Sequence, residues 1–345
     1  MTCDTDRSRP RRSYDNAAMK TVFKLLSIIS IAFASLIPYG LVQGQEAWPS
    51  KPIIMVVPFP PGGVADTVGR PVAEALGRAL NQSVIVENKA GAGGGIGMAY
   101  VAKSNADGYT VLMSLSSLSI IPEADKLFGR APSFTLDQFK PIARFTADPT
   151  VLVVRADAPW KNFAEFLTDI RKKPAAYSFG SSGNYGTMHV PMEMLKNQAK
   201  FHMLHVPYTG AGPAVVALLG GQIDALSTGP ASVVQQIKAG KLRALAHWGD
   251  GRLAALPDVP SLKELGQPVE FAQWAGLFVP ANTPPAVIAK LREAAKTAAN
   301  DPRVRQVISG SGSPIQYLDA PEFQKYWDAD AAKMTQVVKL IGKVN

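Results

Sequence analysis

The stretch IIMVVPFPPGGVAD, residues 53–66, decides the fold expected for this chain. Its apolar first half is typical of a buried strand, and a turn of prolines and glycines follows before a helix begins. The first N–H groups of a helix have no intrahelical acceptor and lie at its positive dipole end, so they can bind an anion. Gly62 and Gly63 leave that approach open, and Pro60 and Pro61 restrict the loop. We expect a ligand at this turn, although an ordinary strand-to-helix corner would have the same pattern.

The length and charge of the chain narrow the class of protein. The 345 residues are enough for two domains with proper cores, and the formal net charge is +9. The basic residues are scattered, without a lysine and arginine block or interleaved aromatic residues, so nucleic acid is not expected as a partner. A mild positive charge favours acidic solutes without identifying one.

Residues 1–44 have the pattern of a signal peptide that is cleaved near Gly44. The apolar run at 25–37 is short for a membrane span, and Met19 is an alternative start to Met1. Export predicts a location in the periplasm, and the single cysteine, Cys3, lies in this leader, so the mature chain has no disulfide. Six basic residues precede the apolar run: Arg7, Arg9, Arg11, Arg12, Lys20 and Lys24.

After the leader, predicted strands alternate with predicted helices, and four strands end in similar turns. Ligands in open α/β sheets bind outside the carboxyl ends of the strands, so these turns are expected to enclose a small polar ligand together. One turn is that at 58–63, and the others follow strands at 176–179, 203–206 and 225–227. Their polar, glycine and aromatic residues include Ser181, Ser182, Asn184, Tyr185, Thr187, Tyr208, Thr209 and Gly229.

The order of these segments predicts two α/β lobes joined by two crossing segments. An apolar strand at 150–154 is read as the first crossing, and the stretch 271–278, which contains Trp274, as the return. Lobe 1 would then comprise residues 45–149 and 275–345, and lobe 2 residues 150–274. Residues 132–141 are read as a connection.

Two further loops are candidates for the cleft. The loop at 91–97 is rich in glycine but does not match the dinucleotide fingerprint G-x-G-x-x-G, so it either packs the structure or lines the cleft. Ser116 follows a predicted strand at 110–113, where a hydroxyl either satisfies local backbone or faces the cleft.

The chain from Trp48 to the C-terminus resembles the Bug-type extracytoplasmic solute-binding proteins, the receptors of tripartite tricarboxylate transporters. The resemblance rests on VPFPPGGVAD at 57–66, VENKAGAGG at 86–94, DGYT at 107–110, GSSGN through His189, HVPY at 205–208 and LLGGQID at 218–224. It implies the two-lobed periplasmic binding protein fold, with a small carboxylate held between the lobes.

The resemblance also assigns roles by position. It implies that Phe59, Gly62, Gly63 and Asp66 belong to the group around the first turn, which holds one carboxylate partly through water. The other end of the ligand would be read in lobe 2 by Ser181, Ser182, Asn184, Thr187 and Thr209. Tyr185-Gly186 and Thr209 depart from the common form of the family at the place where the ligand is selected.

Physical alternatives remain for several of these residues. Asp66 either caps its helix or touches the ligand, and a carboxylate beside an anion would repel it unless the ligand carries an amine or hydroxyl. The hydroxyls of Ser181, Ser182 and Thr187 either cap a helix or donate to the ligand. Tyr185, Tyr208 and Trp274 form an apolar wall, or Trp274 packs the hinge.

Binding rather than catalysis is expected. Ser181 is not in a G-x-S-x-G elbow, and His189 is expected to have a structural role although it could be paired with Ser181. The histidines lack metal-ligand spacing, so neither a metal nor a cofactor is expected. The expected partners are a small carboxylate and either membrane transporter subunits or a sensor kinase, and the protein is expected to be a monomer.

Overall fold

The computed structural model describes residues 48–344 of the chain, so the predicted signal peptide, residues 1–44, lies outside the described residues. A first sheet contains six strands: β1 (Ile53–Val57), β2 (Val84–Asn88), β3 (Thr110–Leu115), β4 (Phe139–Pro149), β10 (Ala272–Pro280) and β11 (Leu318–Asp319). Their order is β11-β4-β10-β3-β1-β2. β1 is parallel to β2 and β3, whereas β10 is antiparallel to β3 and β4.

A second sheet contains five strands: β5 (Val151–Arg155), β6 (Ser178–Ser181), β7 (Leu204–Pro207), β8 (Ala225–Thr228) and β9 (Leu242–His247). Their order is β7-β6-β8-β5-β9. β6 is parallel to β7 and β8, and β5 is antiparallel to β8 and β9. The molecule therefore has two α/β lobes, as the sequence predicted.

Helices cover both sheets. Those of lobe 1 are α1 (Val64–Leu80), α2 (Gly95–Ala102), α3 (Ser117–Leu127), α8 (Pro285–Asn300), α9 (Pro302–Gly310) and α10 (Ala320–Ile341). Those of lobe 2 are α4 (Phe163–Lys172), α5 (His189–Ala199), α6 (Ala211–Leu219) and α7 (Val234–Lys238). Among residues 48–344, no helix is both long enough and apolar enough to cross a membrane.

The first turn is positioned by a well-packed helix. α1 buries Val64, Val68, Val72 and Leu76, which lie three or four residues apart on one face. Pro71 lies inside α1, which continues through it. Asn81 then ends the helix in the left-handed region, with φ 51°.

The lobes are connected where β4 ends at Pro149 and β5 begins at Val151, and again where the chain enters β10. β4 begins at Phe139, so part of the stretch 132–141 is strand rather than connection. Ala272–Trp274 belong to the first sheet, three residues before the expected start of the returning segment at 275.

The last helix spans both lobes. Phe323 and Trp327, near the start of α10, pack in the core of lobe 1. Met334, Val337 and Val338, near its end, pack with lobe 2 residues instead. The segment 275–345 therefore does not belong to lobe 1 alone, because the end of α10 buries its apolar face against the other lobe.

Candidate functional site

The turns that follow β1, β6, β7 and β8 meet at the boundary between the lobes. The Pro60 ring fills the position that a Cβ on Gly210 would take, and a Cβ on Gly212 would lie 2.7 Å from the Pro61 carbonyl oxygen. A Cβ on Gly63 would lie 3.5 Å from that of Ala211. The N-terminal ends of α1 and α6 therefore approach each other through backbone and small side chains. Their first N–H groups have no intrahelical acceptor and form one donor-rich region.

Asp66 organises the first turn. Its Oδ2 accepts hydrogen bonds from the Gly62 N–H at 3.1 Å and from Arg70 Nε at 3.0 Å. Its Oδ1 accepts from Arg70 Nη2 at 2.8 Å and from Asn88 Nδ2 at 3.0 Å. Burial raises the pKa of Asp66, but the hydrogen bonds from Arg70, Asn88 and Gly62 outweigh it and hold the pKa below its usual value.

These contacts give Asp66 a structural role in the turn. The N-cap residue of α1 is Gly63, and no side chain caps the helix. Each oxygen of the buried Asp66 carboxylate already accepts two hydrogen bonds from protein donors, so the geometry does not place Asp66 as a ligand group. It holds the turn around Gly62, whose φ is +84° and beside which a Cβ would meet no atom within 4 Å.

The glycine-rich loop packs against both lobes. The ring of Phe59 packs over Gly94, where a Cβ would lie 2.9 Å from Cζ. Gly93 contacts lobe 2, because a Cβ on Gly183 would lie 2.8 Å from the Gly93 backbone nitrogen. Glycine at 93 and 183 thus allows two main chains to meet across the boundary.

Ser181 is used by the structure of lobe 2. Its Oγ lies 2.6 Å from His205 Nε2, accepts from the Gly183 N–H at 3.1 Å, and donates to the Gly183 carbonyl at 3.2 Å. Ser181 is fully buried, so the prediction that it binds ligand is not supported by the geometry.

Two stacked histidines lie beside Ser181. His189 stacks on His205 with ring centroids 4.1 Å apart, and its Nδ1 accepts from the Tyr185 N–H at 3.0 Å. Burial and the neighbouring His189 lower the pKa of His205 to about 3, so the ring is neutral at pH 7. The pairing of Ser181 with His205 instead of His189 supports the turn and exposes no nucleophile.

Several buried polar groups, four of them at the ends of β3, β6 and β8 and in β10, have no hydrogen-bond partner among the protein atoms. The hydroxyl oxygens of Ser116, Ser182 and Thr228 follow or end β3, β6 and β8. The fourth is the Oε1 of Gln273 in β10, whose Nε2 donates to Thr187 Oγ1 at 2.5 Å and so joins the lobes. A Cβ on Gly229 would overlap this Oε1 and lie 2.6 Å from Val64 Cγ2. Because buried polar groups are nearly always hydrogen-bonded, these atoms point to a polar ligand.

The remaining predicted residues of lobe 2 line an outer groove of about 1290 Å³. Its other walls include Ile96 and Tyr100 of α2 and Phe128 after α3. Asn184 and Thr209 are exposed there, and Tyr208 is half-buried. These residues lie outside the buried group of Ser116, Ser182 and Gln273. The lobe 2 residues in the groove are Gly183, Asn184, Tyr185, Pro207, Tyr208 and Thr209.

Two aromatic residues pack differently from the predicted apolar wall. Trp274 is fully buried in lobe 1, where its Nε1 donates to Asp330 Oδ2 at 3.0 Å and its ring meets Phe323 edge-on. Tyr185 is also buried, and its hydroxyl donates to the Gly342 carbonyl at 2.6 Å. Trp274 is therefore core rather than wall, and Tyr185 anchors the end of the chain to lobe 2.

Sequence reasoning selected Trp274 and missed its neighbour Gln273. Successive strand residues face opposite sides of a sheet, so only one of the two can face the boundary. The sequence pattern of residues 271–278 does not indicate which of the two residues faces the boundary. Thr228 and Asp148 were missed as well, and only their place at strand ends could have drawn attention to them. Within the part of the chain that the structure describes, no group of three or more His, Cys, Asp or Glu residues could hold a metal ion.

Two α/β lobes that meet at their strand ends around unpartnered polar groups define a two-lobed solute-binding protein. The chain matches the model of the tripartite tricarboxylate transporter family receptor over residues 68–343, and it belongs to this family. This confirms the resemblance seen in the sequence, and the chain is a solute-binding receptor of that family.

Three solved structures share the fold of this chain. Periplasmic binding protein BugD is 31% identical, with a TM-score of 0.80 and coverage of 86% of this chain and 99% of its own. MatC (Rpa3494) from Rhodopseudomonas palustris, solved with malate, is 28% identical, with a TM-score of 0.78 and coverage of 84% and 99%. Rpa4515 from R. palustris, solved with adipate, is 26% identical, with a TM-score of 0.80 and coverage of 86% and 98%. The periplasmic binding protein fold is thereby confirmed.

Proposed function

We propose that this protein binds a small carboxylate between its lobes in the periplasm and delivers it to the membrane subunits of a tripartite tricarboxylate-type transporter. Two observations carry the proposal: the hydroxyls of Ser116, Ser182 and Thr228 are buried without a partner, and the N-termini of α1 and α6 approach each other across the boundary. Backbone N–H and hydroxyl groups can satisfy a carboxylate without a buried counter-charge. The malate and adipate bound by two relatives belong to the same chemical class.

The proposed role is binding without turnover. Ser181, the serine with a histidine partner, is buried and already bonded, so it offers no nucleophile to a ligand. We also propose that the protein acts as a monomer, with both lobes of one chain forming the site. No observation favours signalling through a sensor kinase over transport, so that alternative is not proposed.

A thermal-shift panel tests the binding proposal. The panel contains mono-, di- and tricarboxylates, aromatic acids, amino acids and uncharged analogues of the same size. A ligand that binds only the folded state stabilises it, so at least one acid is expected to raise the Tm in a concentration-dependent manner. Stabilisation by none of the acids, or equally by the uncharged analogues, would contradict the proposal, as would turnover of any panel member.

Two substitutions at Gly63 test the location of the site. The Cβ of Gly63→Ala would lie 3.5 Å from Ala211, an ordinary contact, so ligand binding should survive. Gly63→Val adds two methyl groups at the same point and should weaken binding at least about tenfold by holding the helix ends apart. Equal affinity for both variants in calorimetry would show that the ligand lies elsewhere.

Delivery requires a separate measurement. Uptake of the stabilising acid is expected in cells that express this protein together with the transporter membrane subunits. Cells that have the subunits and Gly63→Val should lose uptake, and those with Gly63→Ala should keep it. Uptake that does not depend on this protein would contradict delivery while leaving binding intact.

A further inference from the structure

Asp148 of β4 and Gln273 of β10 lie side by side at the boundary between the lobes. The two residues are register partners in the antiparallel pair, so their side chains extend from the same face of the sheet. Each residue is only 3% exposed. Because Gln273 bonds Thr187 of lobe 2, this face of the sheet is turned toward lobe 2.

Both side chains hold an acceptor atom without a donor. Oδ2 of Asp148 and Oε1 of Gln273 are buried and have no hydrogen-bond partner among the protein atoms. A carboxylate of the ligand is acceptor-only and satisfies neither atom. Val64 begins α1, and its side chain and the Oε1 of Gln273 both lie against Gly229, so the N–H groups at the start of α1 and the acceptor oxygen of Gln273 are close together.

The charge of Asp148 is compatible with a bound anion. Burial raises the pKa of Asp148 to about 7, although the nearby hydroxyls of Ser313 and Thr146 and the charge of Arg144 act in the opposite direction. Arg144 itself lies over the ring of Tyr326, 4.3 Å from its centroid, and its Nε donates to the Gln316 carbonyl. A fraction of Asp148 is thus protonated at pH 7, and a protonated carboxyl no longer repels an anion while its carbonyl oxygen still accepts a hydrogen bond.

We propose that Gln273 and Asp148 form an acceptor subsite that selects carboxylic acids carrying a hydroxyl or ammonium group on the carbon skeleton. The carboxylate of the ligand would lie toward the helix N-termini, and its hydroxyl or ammonium would donate to the two unpartnered oxygens. An unsubstituted acid would leave those oxygens buried without a donor. The cost of burying unpaired polar atoms makes such a site select strongly against that acid. This inference rests on the proposed function, since it names the class of carboxylate.

Matched ligand sets test the inference. Each set contains an unsubstituted acid with its hydroxy and amino forms: propionate, lactate and alanine; succinate, malate and aspartate; glutarate, 2-hydroxyglutarate and glutamate. In the set that binds most strongly, the hydroxy or amino form should have a Kd at least about tenfold below that of the unsubstituted acid. The ratio of the Kd values for the hydroxy and amino forms shows whether the subsite prefers a hydroxyl or an ammonium donor.

The outcomes separate this inference from the proposed function. An unsubstituted acid that binds at least as tightly as its substituted forms overturns the acceptor subsite but leaves the carboxylate receptor intact. If no acid of any set or of the wider panel binds, the proposed function fails, and the inference fails with it. These measurements use the wild-type protein and do not depend on the folding of a variant.

Variants then assign the selectivity to residues. Asp148→Asn replaces an acceptor with a donor and should reduce the ratio of Kd values between unsubstituted and substituted acids to about threefold or less. Gln273→Met should do the same, because methionine is similar in length and lacks the amide. Asp157→Asn is the control, since its carboxylate is exposed and pairs with Arg155, and it should keep the wild-type ratio. An unchanged ratio in both cleft variants would overturn the assignment.

Discussion

The Pro60 ring packs against Gly210 across the boundary between the lobes, in the space that a Cβ on Gly210 would occupy. A proline of the turn after β1 thus meets a bare backbone position in the turn after β7. Gly210 has an extended backbone, with φ 169°, so its importance lies in the close approach and not in its conformation. The fit between these residues sets how closely the two helix N-termini approach.

Gly210→Ala should therefore interfere with the meeting of the lobes. The added methyl group overlaps the Pro60 ring, so the affinity for the ligand should fall at least about tenfold while the free protein keeps its fold. Isothermal titration calorimetry measures the affinity, and circular dichroism shows whether the free protein keeps its fold. Gly251→Ala is the control, because a Cβ at Gly251 meets no atom within 4 Å. Wild-type affinity in Gly210→Ala would show that this contact does not govern binding.

Asp66→Asn should destabilise the protein by about 1–3 kcal/mol, because the new amide group would face donors from Gly62, Arg70 or Asn88. Urea unfolding measures the change. The exposed pair Asp157–Arg155 provides the control, and Asp157→Asn should lower the free energy of unfolding by less than about 1 kcal/mol. A similar decrease in the free energy of unfolding in both variants would contradict the organising role of Asp66.

The carboxylate of Asp66 also predicts how the stability of the protein depends on pH. The pKa of Asp66 in the folded protein lies below its usual value of 3.8, so its stabilising effect is present above that value. The effect is lost as the pH falls through the lower pKa of the folded state. The difference in free energy of unfolding between wild type and Asp66→Asn should therefore shrink below pH 4. A difference that stays constant down to pH 2 would argue against an ionised Asp66.

Trp274→Phe distinguishes a core residue from a ligand-binding one. The variant loses the buried hydrogen bond to Asp330, so the free energy of unfolding should fall by about 1–3 kcal/mol. The affinity for the ligand should stay within about twofold of wild type, because the ring faces Phe323 and not the cleft. A stable variant that has lost its affinity would restore Trp274 to the binding site.

His205 should make the protein less stable in mild acid. Its pKa is about 3 in the folded state and ordinarily 6.5, so between these values the unfolded chain binds a proton that the folded protein does not. Stability therefore falls as the pH decreases from 6.5 toward 3. His205→Gln removes this proton uptake and should give a shallower dependence of the free energy of unfolding on pH between 7 and 4.

The control for that experiment is His202→Gln, which changes an exposed histidine three residues away. The free energy of unfolding of His202→Gln should depend on pH as that of the wild type does. If both variants gave the wild-type slope, the acid sensitivity would have to arise from other groups.

The sequence alone determined the α/β class, the two lobes and the four turns at strand ends, since alternating strand and helix patterns, glycines and prolines act locally along the chain. It also placed Ser182 and Gly229 at such turns and Ser116 after a further predicted strand. These residues lie at the boundary because the carboxyl ends of parallel strands gather at one edge of a sheet.

Only the tertiary structure decided which polar groups remain unpartnered. Ser181 and Ser182 are neighbours of one residue type, yet Ser181 is bonded to His205 and Ser182 has no partner. Gln273 and Trp274 are likewise neighbours, and the pairing of β10 with β4 turns the first toward Thr187 of lobe 2 and the second into the core. A hydrogen bond depends on what distant segments bring within 3 Å, and that information is not local in the chain.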